Sequence, residues 1–262
     1  MGSPAEDRQM NPLWDAVMET PTYIALSRQM ALQNQMEVVA NNIANANTQG
    51  FKAEMLLMSE VDLPAEQGTN LAYVQDFATA RDFSPGTLRP TGNDLDMAIQ
   101  GDGFFAVQTP DGTRYTRVGR FQLDKDGTLV TSQGYPVLSG GSAVTIEPDD
   151  GPVNVAEDGT ISTDRARNGT QLQVVGKLDI VDFAKRDALV PNQDNLFDAG
   201  TQSPITAKGK VAQRVLEDSN VNPIIEMTNM IQVTRNYQAV QRFLDGEHDR
   251  QRRAINSITS ST

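Results

Sequence analysis

The chain has no cysteine and only one histidine, His248, among its 262 residues. Without cysteine it can form neither disulfide bonds nor thiolate metal sites, and it could occupy an oxidising compartment without mispaired thiols. One histidine cannot build a three-histidine zinc site. Because His248 lies in a run of charged residues, we also expect no catalysis of the Ser-His-Asp or Cys-His type.

Glycine-rich nucleotide-binding loops are missing as well. The segments GDGFF at 101–105 and SGGS at 139–142 are rich in glycine, but neither matches a phosphate-binding loop between a strand and a helix. We interpret both segments as tight turns. The sequence therefore predicts no catalytic residue, no metal site and no cofactor.

Basic residues are outnumbered by acidic ones: the chain has 22 Lys and Arg and 34 Asp and Glu, which gives a net charge of -12. An acidic surface binds phosphate poorly, so nucleic-acid binding is disfavoured. No run reaches the roughly 20 apolar residues of a membrane span. The first 21 residues lack the apolar core of a cleaved signal peptide, so we expect any export to use another route.

Thr20 and Pro21 predict the start of a first helix, as its N-cap and its first helical residue. We expect this helix to run to about Asn47 and to follow a loose, flexible polar lead over residues 1–19. Its apolar residues recur at steps of three and four, the spacing of a coiled-coil seam. The stripe comprises Leu32, Met36, Val39 and Ile43, with Leu26 and Met30 extending it towards the start.

A second helix of the same kind is predicted near the C-terminus. Asn222 is its expected N-cap and Pro223 its first residue. Beyond Gly246 the sequence becomes strongly charged, which predicts either a solvated helix or a frayed end. The apolar stripe of this helix again steps by three and four, through Met230, Val233, Tyr237, Val240 and Leu244.

The middle of the chain shows β-type runs separated by turn dipeptides. Residues 104–118 predict two strands around Asp111-Gly112, and residues 120–138 predict the next hairpin around Asp126-Gly127. Many short strands at this spacing indicate an antiparallel β-rich domain, which we assign to residues 95–215. Residues 53–94 are interpreted as an extended connector with short strands.

The predicted fold class is therefore α+β, with an antiparallel β-rich domain inserted into a discontinuous helical coiled-coil domain. Residues 20–52 and 216–262 supply the paired terminal helices. An isolated helix is marginal in water, and burial of each large aliphatic side chain gains about 1.5–3 kcal/mol. The helices must therefore pair with each other, with other chains, or with both.

Two further function classes were compatible with parts of this pattern and remain open at this point. Acid pairs around Asp94, Asp96 and Asp102 could support acid–base chemistry, although no nucleophile or cofactor loop accompanies them. The chain could also be a soluble β-rich binding module carried on a helical stalk.

Three segments resemble the signatures of flagellar rod and hook proteins, in the order in which that family has them. They are SRQMALQNQMEVVANNIANANTQGFKAE at 27–54, LDMAIQGDGFFAVQTPDGTRYTRVGRFQLDKDGTLVTSQGYPVL at 95–138 and LEDSNVNPIIEMTNMIQVTRNYQA at 216–239. Within the family, the opening YIALSRQMALQNQM and the short connector DFSPGTLRPTGNDLDMAI are most similar to proximal rod members, and distal rod members are the alternative.

The resemblance implies a structural, non-enzymatic subunit of the bacterial flagellar basal body. Members of the family are exported unfolded by the flagellar type III apparatus, without a cleaved signal, and assemble in the periplasm into the helical axial drive shaft that transmits torque. Their terminal helices form the inner layer of this tube. Expected partners are copies of the chain, neighbouring proximal and distal rod subunits, and the export apparatus during secretion. Residues 1–17 are expected to be an extension, because such members begin close to their first motif.

An asparagine cluster lies where the first helix should end. Side-chain amides can donate and accept hydrogen bonds without burying charge, so they suit contacts with neighbouring backbone. Gly50 and Phe51 are expected to turn the chain towards the β-rich domain. With the two apolar stripes, the predicted assembly and helix-packing residues are Asn41, Asn42, Asn45, Asn47, Gly50, Phe51, Asn220, Asn222, Pro223 and Met227.

Overall fold

The computed structural model describes residues 12–63, 71–147, 150–164 and 172–259. Two long helices, α1 (Pro12–Ala44) and α2 (Pro223–Thr259), flank the β structure, which confirms the predicted α+β fold. The chain divides into two compact units. The helical unit holds the described parts of residues 1–41, 55–80 and 224–262, and the β unit holds those of residues 42–54 and 81–223.

The start of α1 was predicted wrongly. Thr20 and Pro21 lie inside this helix, and Pro12 takes the first position instead. Proline is tolerated at a first helical position because its missing N–H has no intrahelical partner there. Inside a helix proline usually costs about 3 kcal/mol, which is why the sequence favoured a start at Pro21, yet the helix runs through it. The expected loose lead is therefore helical over residues 12–19, and residues 1–11 lie outside the described part of the chain.

The other helix ends agree better with the sequence. α1 ends at Ala44, about one turn before the expected end, and α2 begins at Pro223 as predicted. α2 also continues through Gly246 to Thr259 without a break, although its side chains beyond Gly246 are mostly exposed. The last segment is therefore a solvated helix, one of the two alternatives that the sequence predicted.

The segment expected to be an extended connector contains two strands that are longer than predicted. They are β1 (Glu54–Leu63) and β2 (Leu71–Arg81), of 10 and 11 residues, and they form a two-stranded sheet of their own. Most of this sheet belongs to the helical unit. The helical unit therefore combines the two terminal helices with a strand pair.

The β unit is built of short strands, and its largest sheet has six strands in the order β15-β16-β6-β5-β14-β17. The hairpins predicted around Asp111-Gly112 and Asp126-Gly127 are confirmed as the antiparallel pairs β5–β6 and β7–β8. The strands are β3 (Leu88–Pro90), β4 (Met97–Gln100), β5 (Phe104–Thr109), β6 (Gly112–Thr116), β7 (Phe121–Leu123), β8 (Leu129–Thr131), β9 (Leu138–Ser139), β10 (Ser142–Ala143), β11 (Val153–Val155), β12 (Thr160–Asp164), β13 (Leu172–Lys177), β14 (Ile180–Asp182), β15 (Val190–Pro191), β16 (Leu196–Asp198), β17 (Ile205–Thr206), β18 (Lys210–Gln213) and β19 (Val215–Glu217).

Strand β5 is buried on both faces, which explains its uninterrupted run Phe-Phe-Ala-Val. Alternate strand residues point to opposite faces of a sheet. Phe105 and Val107 accordingly join one core cluster, whereas Phe104 and Ala106 join another. In the second cluster the rings of Phe104 and Phe197 pack edge to face, with centroids 5.6 Å apart.

The outgoing and returning segments of the β unit run side by side. β3 pairs with β19, and β4 pairs with β18, both antiparallel. These pairs bring the start of the β unit close to its end, so the backbone N–H of Gly50 donates to the carbonyl oxygen of Glu217 at 2.8 Å.

Arg186 links two turns of the β unit through ion pairs. Its guanidinium binds both carboxylate oxygens of Asp182, at 2.8 and 2.7 Å, and one oxygen of Asp102, at 2.8 Å. The hydrogen bonds from Arg186 hold the pKa of each carboxyl below its ordinary value, although partial burial acts in the opposite direction. Both side chains therefore stabilise the fold in their ionised form.

We predict that replacing Arg186 by Gln lowers thermal stability most near neutral pH. A carboxyl whose pKa is depressed by folding contributes stability above its ordinary pKa, about 4, and loses it as the pH falls through the folded value. The difference in Tm between the variant and the unmodified chain should therefore shrink below about pH 4. Circular-dichroism melts at pH 7 and pH 3 measure it, with the exposed Lys125→Gln as control. An equal difference at both pH values would contradict the assignment.

Candidate functional site

The helical signature of the sequence ends in a polar cluster that we call the junction. It consists of residues 42–54 and the four side chains that hold them, Arg81, Arg117, Glu217 and Asn220. All of these belong to the β unit. The junction lies where the chain leaves α1 and, at its other end, shortly before the chain enters α2.

A buried ion pair lies at the centre of the junction. The side chains of Lys52 and Glu217 are 0% and 1% exposed, and Lys52 Nζ lies 2.6 Å from Glu217 Oε1. Nζ also donates to the carbonyl oxygen of Ser84 at 2.7 Å, while Oε1 accepts the backbone N–H of Gly86 at 2.9 Å. Burial lowers the pKa of Lys52, and the attraction of Glu217 opposes this shift. The pair is thus held by hydrogen bonds on both partners, which is what a buried pair needs to offset its desolvation.

Arg117 is the second cation beside Glu217. Its Nη1 lies 3.7 Å from Glu217 Oε2, and its side chain is 3% exposed. Nη2 donates to the carbonyl oxygen of Gly101 at 2.7 Å, and the guanidinium lies over the ring of Phe104 at 5.4 Å. Burial lowers the pKa of Arg117. The glutamate carboxylate is therefore flanked by two buried cations.

Gly50 permits the chain to approach this cluster closely. Its φ is +65°, in the left-handed region, and a Cβ at this position would lie 2.7 Å from the backbone carbon of Arg117. The next residue, Phe51, is 3% exposed, and the guanidinium of Arg81 lies over its ring at 5.5 Å. Gly50 and Phe51 therefore pass through the interior of the β unit.

Two asparagine amides hold the backbone that leaves the junction. Asn42 Nδ2 donates to the carbonyl oxygen of Glu54 at 2.9 Å, and Asn42 Oδ1 accepts the N–H of Glu54 at 2.8 Å. Asn220 Oδ1 accepts the N–H of Ala53 at 2.8 Å, and its Nδ2 donates to the carbonyl oxygen of Asp82 at 2.8 Å. Each amide uses both its donor and its acceptor, so the backbone polar groups are paired without a further buried charge.

The helical unit contains a second candidate site, the seam between α1 and α2. Gln29 Nε2 donates to the hydroxyl oxygen of Tyr237 at 2.9 Å and to Gln241 Oε1 at 3.0 Å. Thr22, seven residues before Gln29, lines a cavity with Leu244 and later α2 residues. Because earlier residues of α1 meet later residues of α2, the two helices run antiparallel.

The seam buries part of each predicted stripe. On α1, Leu32 and Val39 are buried, and Met36 is half-buried. On α2, Val233 is buried and the next stripe residue, Tyr237, is half-buried. The half-buried stripe residues also include Ile43, Met230, Val240 and Leu244.

Many large apolar side chains of the helical unit face outwards. Leu26 and Met30, which were predicted to extend the buried stripe, are 49% and 55% exposed, so that prediction was wrong. They lie six and two residues before Leu32, not three or four, so they fall on a different face of α1 from the stripe. The exposed set comprises Tyr23, Leu26, Met30, Met55, Leu57, Met58, Ile224, Ile225, Met227, Ile231, Phe243 and Ile255.

The remaining predicted residues lie in several places. Asn41 and Asn45 are half-buried, and Asn47 is exposed. Asn45 Oδ1 accepts the hydroxyl of Thr48 at 3.1 Å, within the turn that follows α1. At the start of α2, Asn222 is exposed and Pro223 half-buried.

The sequence reasoning missed the charged members of the junction, Lys52, Arg81, Arg117 and Glu217. Lys52 and Glu217 are 165 positions apart, so no local pattern connects them. One signal was available, because Lys52 directly follows the Gly50-Phe51 turn inside the first family signature and Glu217 lies in the last one. A charged residue next to an inward turn is a candidate for a buried pair.

The carboxylates considered for acid–base chemistry are each engaged separately. Asp94 pairs with Arg214 at 2.6 Å, Asp102 pairs with Arg186, and Asp96 accepts a hydrogen bond from Asn93. Among the residues that the structure describes, no group of three or more His, Asp or Glu could hold a metal ion. Neither helix, over its described residues, has the length and apolar character to cross a membrane.

Comparison with known proteins matches three segments of the chain. Residues 23–52 match "Flagella basal body rod protein", residues 98–163 match "Flagellar hook protein FlgE/F/G D1 domain", and residues 212–257 match "Flagellar basal body rod FlgEFG protein C-terminal". The two terminal matches contain the two members of the buried pair, Lys52 and Glu217.

Relatives also match over most of the chain. The flagellar basal-body rod protein FlgF of Caulobacter vibrioides is 41% identical over 92% of this chain and 98% of its own length. FlgF of Rhizobium meliloti is 38% identical over 89% of this chain and 96% of its own length. FlgG of Bacillus subtilis is 34% identical over 85% of this chain and 92% of its own length.

We predict that the two members of the buried pair are strongly coupled. Lys52→Met leaves Glu217 buried without its nearest cation, and removing one partner of a buried pair costs about 3–5 kcal/mol. Glu217→Gln should also destabilise the β unit. The double variant should lose less stability than the two single losses combined, because neither charge is then left alone. Denaturant unfolding of the four proteins measures this cycle, and additive losses would disprove the coupling.

Proposed function

Because the chain belongs to the flagellar basal-body rod FlgEFG family and is a structural rod protein rather than an enzyme, we propose that it forms the proximal part of the rod. The two FlgF relatives described above support this position, since each matches more of the chain at higher identity than FlgG of Bacillus subtilis does. The distal rod remains the second candidate, supported by the 34% identity to FlgG over 85% of the chain.

We propose that the chain assembles helically with its own copies and with neighbouring rod subunits into the axial drive shaft. The observation that carries this proposal is the exposed apolar surface of the helical unit. Single exposed apolar residues are normal, but rows of them at helical spacing mark interaction surfaces. Both helices carry such rows: Leu26 is 49% exposed on α1, and Ile224 and Ile231 are 74% and 55% exposed on α2.

Torque transmission requires that each subunit resist deformation, and the junction supports this role. Its ion pair and its two amide clamps fix the backbone at 42–54 and at 217–220 with paired, buried polar groups. Contacts between copies that do not close on themselves generate a helix rather than a ring. In this proposal the predicted packing residues act in two ways, since Val39 and Val233 hold the seam and outward residues such as Met227 contact neighbours.

We further propose that the chain is exported unfolded by the flagellar type III apparatus and folds in the periplasm. The cysteine-free sequence supports this route, because no disulfide can trap a chain that folds in an oxidising compartment. The β-hairpins are formed by residues close together in sequence. Contacts of this kind form quickly, which suits a chain that folds after export.

The position in the rod can be tested by gold labelling of an epitope added to the chain. In purified basal bodies we expect the label at the proximal end of the rod, nearest the cell membrane. Label at the distal end would support the second candidate instead. Absence of the chain from basal bodies would contradict both.

We predict that Ile225→Asp abolishes swimming without unfolding the protein. Ile225 is 56% exposed, so the monomer should keep its melting temperature within about 1 °C. A charge placed in an apolar contact should nevertheless prevent stable incorporation into the rod. Soft-agar motility and immunoblots of purified basal bodies measure the effect. The matched control is Gln238→Asp, at an exposed polar position of the same helix, and normal swimming of both variants would contradict the proposal.

A further inference from the structure

Two exposed apolar triplets of the helical unit share the same spacing. On α1, which we call the α1 stripe, Tyr23, Leu26 and Met30 are 58%, 49% and 55% exposed. On α2, which we call the α2 stripe, Ile224, Met227 and Ile231 are 74%, 51% and 55% exposed. Steps of three and four place the members of each triplet on one face of their helix. Each stripe is therefore a short apolar ridge.

Neither stripe covers the other within one copy. The seam is formed by other faces of the two helices, where Leu32 and Val233 are buried and Gln29 bonds to Tyr237. Both stripes are exposed because they lie away from that seam. Among the described residues of the copy, none covers them, so both stripes are open to a neighbour.

The two stripes also lie at different levels of the helix pair. Since Gln29 meets Tyr237 and Gln241, Leu26 lies level with about residue 242 of the same copy. The α2 stripe is centred on Met227, about 15 residues away along α2. At about 1.5 Å per residue the stripes are therefore separated by about 22 Å along the helix axis.

We propose that the α1 stripe of one copy packs against the α2 stripe of the next copy, displaced by about 22 Å along the helix axis. This inference rests on the proposed function and names the partner of the exposed surface. With both copies in the same orientation the contacting helices run antiparallel. The pairs are then Tyr23 with Ile231, Leu26 with Met227, and Met30 with Ile224.

A second copy fits the stripes for three reasons. The ridges have the same length, about 10 Å, and the same steps, and neither contains a charged residue. Because they lie at different levels, the contact is heterologous and leaves one stripe of each copy free for a further copy, so it propagates instead of closing. Each ridge also holds only three side chains, so the contact is small and suits an assembly in which many such contacts add.

Self-pairing is the main competing arrangement. In a two-fold dimer the α1 stripe would pack on the α1 stripe of its partner, and the α2 stripe would stay exposed. Both α1 stripes of such a dimer are occupied, so no further copy can be added through an α1 stripe. The two arrangements therefore differ in which pairs of residues become close.

Disulfide cross-linking can test the proposed contact, because the chain contains no cysteine of its own. The variant Leu26→Cys/Met227→Cys is expressed as the only copy in cells, and basal bodies are purified and oxidised with copper phenanthroline and oxygen. Each disulfide forms from two thiols, whose electrons and protons pass to oxygen. We expect a ladder of multimers on non-reducing gels that collapses to monomer under reduction.

Single and mixed variants test whether the contact joins an α1 stripe to an α2 stripe. Leu26→Cys alone and Met227→Cys alone should give no cross-link, and an equal mixture of the two should give dimers but no larger species. The matched control Ala40→Cys/Gln238→Cys places both thiols at exposed helix positions outside the stripes and should give no ladder. Efficient dimers from Leu26→Cys alone would contradict the proposed contact and would show that two α1 stripes pack against each other instead.

Failure of this inference can be told apart from failure of the proposed function. If the double variant enters basal bodies and forms no ladder, the contact is wrong and the rod assignment stands. If the unmodified chain is absent from basal bodies, the rod assignment itself fails. If only the double variant is excluded, the purified folded variant is oxidised at high protein concentration, and absence of multimers there also overturns the contact.

Discussion

The ion pair between Lys52 and Glu217 is the interaction on which the rest of the β unit depends. Both side chains are removed from water, so each charge needs the other and a hydrogen-bond partner in the backbone. Lys52 donates to the carbonyl oxygen of Ser84, and Glu217 accepts the N–H of Gly86. Lys52 follows the exit from α1, and Glu217 precedes the entry to α2. Forming the pair therefore fixes the two points at which the chain enters and leaves the β unit, a requirement for a subunit that must carry load.

Polar clamps reinforce this arrangement in a way that apolar packing alone could not. An apolar contact tolerates a small slip of the backbone, whereas the amide of Asn42 meets both the N–H and the carbonyl of Glu54 in a single register. Asn220 fixes Ala53 and Asp82 in the same manner. Asn42 is thus explained within one copy, as a buried residue that holds the backbone of Glu54.

The helical unit shows the opposite tendency, because it buries one face of each helix and leaves others open. Its seam joins α1 and α2 through the hydrogen bonds that Gln29 donates to Tyr237 and Gln241, and Val39 and Val233 are buried on the two helices. The open faces carry large aliphatic residues that water solvates poorly. Membership of the rod family explains this combination, since a subunit that functions only in an assembly completes its core with its neighbours.

The sequence by itself determined the order of helix, β structure and helix, and the hairpins at Asp111-Gly112 and Asp126-Gly127. It also determined the inward-facing apolar residues of α2, such as Val233 and Tyr237. These are local signals, because periodicity and turn chemistry act over a few residues. Tertiary structure decided which helix faces are buried: Leu32 is buried, whereas Leu26, six residues before it and so about 120° away around α1, is exposed. It also decided that Lys52 finds a partner 165 positions away. Burial and charge pairing depend on which distant segments meet, and no local pattern contains that information.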